Sequence, residues 1–152
     1  MKIAEALSMR ADLAKRIGQM EERLRNSSKV QEGETADEDV CELLKELDGL
    51  VKQQETLIYR INKTNMLTEV NGETLTRKIA HRDMLSSHLK VVSNLLHHLM
   101  DRNGRYSRSE IKDVKTIDVK DVRQLFDNLS KQLRETDTAI QGINWNVDLL
   151  DE

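Results

Sequence analysis

The chain has 152 residues, enough for one domain, with 34% charged residues, 3% aromatics and no proline. A net charge of −3, with acidic and basic residues interleaved, argues against the one-signed basic surface that nucleic acid requires. The single cysteine, Cys41, excludes an internal disulfide and fits a reducing compartment.

The N-terminus lacks the apolar run of a signal peptide, and no segment approaches the roughly 20 apolar residues of a membrane span. The expectation is therefore a cytoplasmic protein without membrane contact. From about Lys2 to about Ser28, Ile3, Ala6, Arg10, Leu13, Ile17, Met20 and Leu24 recur at steps of three and four. That is the stripe of an amphipathic helix, interrupted once by Arg10. Gly33 marks a turn, and Thr35 with Glu38 has the form of a capping box.

The second helix is expected from about Ala36 to about Asn65. Its seam runs Val40, Leu43, Leu47, Leu50, Gln54, Leu57 and Ile61, flanked by Leu44, Val51 and Ile58. The period then changes. Between Leu67 and Leu75, Asn71-Gly72 sits among β-prone residues, the strongest short hairpin signal, with strands of three or four residues. A third helix follows from about Thr76 to about Met100 and ends at Asn103-Gly104. Ile111, Val114 and Ile117 follow neither period cleanly and read as extended chain with a short strand.

Asp118 is placed to cap the fourth helix, Val119–Leu150. Its seam is Val119, Val122, Phe126, Leu129, Leu133, Thr136, Ile140, Ile143, Val147 and Leu150. At 1.5 Å per residue it is on the order of 45 Å long.

These elements predict a mainly all-α single domain over 1–152. The architecture expected is an antiparallel up-down-up-down four-helix bundle, or long coiled-coil helices, with a small β-hairpin between helices 2 and 3. Folding the helices back at their turns brings Arg10, Gln54, Asp83 to Ser86, and Thr136 to one level, as a buried polar layer. Such a layer is either a register device or a site.

No phosphate loop, nucleophile elbow or His-Glu-x-x-His sequence is present. None of His81, His88, His97 and His98 follows a glutamate by three, so neither a metal nor another cofactor is expected. Cys41 is flanked by Glu38, Asp39 and Glu42, which oppose a thiolate. Arg60, Arg82 and Arg134 beside Asp83, Asp137 and Glu135 form either an anion site or a structural ion-pair network. Trp145, near Asn62, Asn65, Asn144 and Asn146, is expected in the core under the hairpin, or else at an interface.

Several phrases together resemble the septicolysin-like family of uncharacterised bacterial proteins. They are Leu7–Leu13, Arg60-Ile61-Asn62-Lys63-Thr64-Asn65, Ile79-Ala80-His81-Arg82-Asp83, Tyr106–Lys112 and Ile140-Gln141-Gly142-Ile143-Asn144-Trp145. The resemblance covers essentially the whole chain and implies a helical bundle with no catalytic residues to carry over. The family name suggests a cytolysin, which the short polar hairpin and the missing export signal oppose.

The leading expectation is a non-enzymatic, self-associating scaffold or interaction protein, a homo-oligomer. Its edges at Val70, Asn71 and Gly72 and at Ile111 and Ile117 would pair between subunits, with Trp145 as an anchor. The alternative is a small-anion or nucleotide-type ligand-binding bundle, enzymatic or not, using Arg60, Arg82, Asp83 and Arg134.

Overall fold

The first turn of a helix leaves backbone N–H groups without partners, and at Ile3 the far end of the chain supplies one. Ile3 N–H donates to the carbonyl of Val147 (3.0 Å), and Leu149 N–H donates to that of Met1 (2.8 Å), closing an antiparallel bridge between Lys2 and Asp148. The Glu5 carboxylate accepts from Lys2 N–H at 2.6 Å. From there helix α1 runs Ile3–Ser28, close to the expected span.

The computed structural model describes residues 1–101 and 113–151. Besides α1 it contains α2 (Val40–Leu67), β1 (Glu69–Val70), β2 (Glu73–Thr74), α3 (Leu75–Met100) and α4 (Val119–Asn146). The mainly helical class and the hairpin between the second and third helices are as the periodicity predicts.

Two helix boundaries differ, one for a local reason and one through a distant partner. Helix α2 starts at Val40, not Ala36, because Asp39 is the N-cap: its Oδ1 accepts from the N–H groups of Cys41 (2.7 Å) and Glu42 (3.3 Å). Glu38, the expected partner of Thr35, is bound instead by Arg23. Helix α4 ends at Asn146, not Leu150, and the chain continues extended to meet Lys2. The switch from helical to two-residue periodicity buries Leu149 and exposes Leu150. The expected strand near Ile117 does not form within 113–117, and Ile111 lies outside the described residues.

The hairpin strands have two residues each, in register Glu69↔Thr74 and Val70↔Glu73. Asn71 (φ 57°) and Gly72 (φ 78°) are both left-handed, as a type I′ turn requires. Leu75 N–H returns to the carbonyl of Thr68 at 2.8 Å, so α3 begins directly at the fully buried Leu75.

The sequence reads as one domain; in packing, the chain forms two compact units. One comprises Met1–Leu75 with the chain from Gln141 onward, the other Thr76–Ile140. In the first, Ala6, Leu13 and Met20 of α1 pack with Leu43, Leu50, Leu57 and Ile61 of α2 and with Leu149. In the second, Leu85 and Val92 of α3 pack with Val122 and Leu129 of α4, flanked by Leu89, Leu96, Phe126 and Leu133. Within that unit Arg82 faces Asp137 while Met100 faces Arg123, so α3 and α4 are antiparallel.

The expected buried polar layer is absent: Arg10, Asp83 and Ser86 are exposed, and only Gln54 and Thr136 are half-buried. Arg10, Asp83 and Ser86 thus lie at the solvent surface, where a polar side chain carries no burial cost. Thr64 is a fully buried polar residue of the first unit. Its hydroxyl donates to Arg60 O (2.7 Å) and accepts from Leu150 N–H (3.0 Å), tying the C-terminal segment to α2.

The register of α2 is testable at two leucines. Leu50 is buried, whereas Leu44 is 51% exposed. Leu50→Ala is expected to cost about 2–5 kcal/mol in denaturant unfolding, and Leu44→Ala no more than about 0.5 kcal/mol at submicromolar protein.

Candidate functional site

Helix periodicity places Arg82, Asp83, Ser86 and Leu89 along one side of α3, and Ser130, Leu133, Arg134 and Asp137 along one side of α4. Together they line an open groove of about 430 Å³ within the second unit. Leu89 and Leu133 are half-buried and belong to its apolar cluster. Arg82 bridges the two helices at one end. Its Nε and Nη2 donate to Asp83 Oδ1 (3.0 and 2.8 Å), and its Nη1 lies 3.7 Å from Asp137 Oδ1.

Three of the four expected ligand-binding residues, Arg82, Asp83 and Arg134, therefore share one groove. Arg60 does not join them. It belongs to the first unit, where its Nε donates to Leu150 O (3.0 Å) and its Nη2 to Asp151 (2.8 Å). Lys63 Nζ donates to Asp151 O at 3.0 Å, so both basic residues hold the C-terminal segment. Ser130 was not singled out by sequence reading, although its offsets of four from Arg134 and seven from Asp137 put it on the same helix face.

A second ionic centre secures the first unit. Arg23 donates to Glu38 through Nε (3.1 Å) and to both oxygens of Glu46 through Nη1 (3.2 Å each), joining α1, the connecting loop and α2. The Arg23 hydrogen bond holds the Glu38 carboxyl below its ordinary range and, with the bond to Glu46, raises the guanidinium further. The Lys2 hydrogen bond lowers Asp148 in the same way at the paired termini.

The described residues among those expected at an interface differ in exposure. Asn71 and Gly72 are exposed at the hairpin tip, Val70 is half-buried, and Ile117 is exposed. Trp145, expected in the core, is 65% exposed. Two residues beyond Ile143, it points to the opposite face of the helix, about 200° from the seam. The larger apolar exposure is on helix faces. Leu44, Val51 and Ile58 form an exposed stripe on α2 at seven-residue steps, and Met84, Val91 and Leu95 form one on α3.

The molecule is thus a mainly helical protein of two units, each built on a pair of helices, with one hairpin. It belongs to a family of unknown function, DUF6847, whose sequence profile matches residues 10–149. It is similar to a functionally unknown conserved protein from Corynebacterium diphtheriae, known from a crystal structure. The two are 38% identical over 99% of each chain, with a TM-score of 0.92. A comparison with curated proteins finds no match. These findings overturn the septicolysin-like resemblance: both relatives are of unknown function and neither carries that description. Among the described residues, no helix is long and apolar enough to cross a membrane.

The ionic centre makes a pH prediction. Because the folded value of Glu38 is depressed below the ordinary 4.5, its contribution is present above that pH and lost as pH falls through the folded value. Thermal melts of wild type and Glu38→Gln should differ at neutral pH, the wild type being more stable, and converge in acid.

Proposed function

We propose that this protein is a non-enzymatic helical interaction protein that self-associates through the outer faces of α2 and α3. The observation that carries the reading is the seven-residue spacing of exposed apolar residues: Leu44, Val51 and Ile58 on one helix, Met84 and Val91, followed by Leu95, on the other.

That spacing matches the one by which the helices pair within each unit, so the complementary surface is another helix with heptad-spaced apolar residues. A second copy of this chain carries two such faces. These residues range from 37% exposed at Ile58 to 67% at Val91, and long apolar side chains repeated along one line are not scattered surface residues. A stable interface buries roughly 800 Å² per partner, so the aliphatic stems flanking each stripe contribute to its contact. The hairpin edges are a lesser contribution, with two residues per strand.

Light scattering coupled to size exclusion tests this. Wild type at tens of micromolar should exceed the 17.6 kDa of one chain. Val51→Glu with Val91→Glu should return it to one chain without loss of helical circular dichroism. A monodisperse wild-type monomer would remove the proposal.

A further inference from the structure

The groove between α3 and α4 carries polar groups that its own structure leaves unused. Arg134 makes no ion pair or side-chain hydrogen bond among the described residues, and the same holds for the hydroxyls of Ser86 and Ser130. Asp83 engages Arg82 through Oδ1, which leaves its Oδ2 without a hydrogen bond or ion pair among the described residues. The charges are ordered along the groove. Arg82, Asp83 and Asp137 gather at one end, with Arg82 held from both helices. Antiparallel register then places Ser86 and Arg134 next, followed by Leu89 and Ser130.

We propose that this groove binds a small zwitterion, an ammonium joined to a phosphate or carboxylate by a short aliphatic linker. The ammonium sits against Asp83, the anionic group takes the Arg134 guanidinium and the two serine hydroxyls, and the linker lies on Leu89 and Leu133. A guanidinium with adjacent hydroxyls is a donor set for a phosphate or carboxylate. A polyanion such as a nucleotide is disfavoured, because the Asp83 carboxylate would face its further charges. The volume, about 430 Å³, is at the small end of ligand sites.

Amide and arginine Nε–H shifts in ¹⁵N-labelled protein read the binding directly. Phosphoethanolamine and β-alanine are the zwitterionic probes; inorganic phosphate and ethylammonium carry one charge each. Saturable shifts at Ser86, Ser130 and Arg134 are expected with a zwitterion, and at least about tenfold weaker binding of either single-charge probe, since each forfeits one charged hydrogen-bonding group.

Arg134→Ala, at an exposed position, should weaken zwitterion binding by a similar factor with helical circular dichroism unchanged. Asp83→Asn should invert the preference, favouring inorganic phosphate over phosphoethanolamine, which a merely structural role for Asp83 does not predict. Absence of shifts with every probe, phosphate binding as tightly as phosphoethanolamine in wild type, or binding indifferent to Arg134→Ala would each overturn the proposal.

Discussion

Each helix buries a narrow row that advances mainly in steps of seven, and the rest of the structure depends on that seam. In α1 the enclosed positions include Ala6, Leu13, Met20 and Ser27; in α2, Leu43, Leu50, Leu57 and Thr64. Leu85 and Val92 in α3, and Val122 and Leu129 in α4, keep the same step. A single buried row, with half-buried neighbours such as Ile17, Leu47, Phe126 and Leu133, is enough for a helix to grip one partner. The apolar clusters accordingly draw on helices two at a time. Residues displaced from the row, including Leu44, Val51 and Ile58, remain on the outside.

Thin helix pairs have few fully enclosed side chains, so the first unit relies on directional contacts at its ends. At one end Arg23 clamps Glu38 and Glu46. At the other, the chain termini pair through Lys2 and Asp148, while Arg60, Lys63 and Thr64 hold Leu150 and Asp151. The ion pairs here are solvent-exposed and individually weak. Their effect is geometric: they fix the register in which the buried leucines meet. Leu149, the last buried residue, depends on that register because it reaches the core from extended chain.

Elements with a long, clean period were legible in the sequence. The cores of all four helices, the Asn71-Gly72 turn and the Asp118 cap follow from residue order because their causes are local. Features set by distant partners were not. The Glu38 side chain belongs to Arg23, so the Thr35 capping box never forms, and α4 stops early because Lys2 and Ile3 recruit Asp148 and Val147. Trp145 was misplaced by treating an aromatic near a seam as part of it; a two-residue offset on a helix is nearly a reversal of direction. For the groove, charge and offset brought out Arg82, Asp83 and Arg134. Ser130 carries no charge, and only helix register exposes its place beside them.

The central claim is that the faces left outside each narrow seam are covered by a second copy of the chain. Cys41, the sole cysteine, is exposed at the start of α2 close to the Leu44 stripe, so it accepts a spin label without other changes. Dipolar spectroscopy between labelled molecules at tens of micromolar tests the claim most directly. A helix of this length spans about 40 Å, so either orientation of α2 in a pair covering these faces predicts a defined intermolecular distance below about 60 Å. A featureless background decay, with no intermolecular coupling beyond that of freely diffusing monomers, would contradict it.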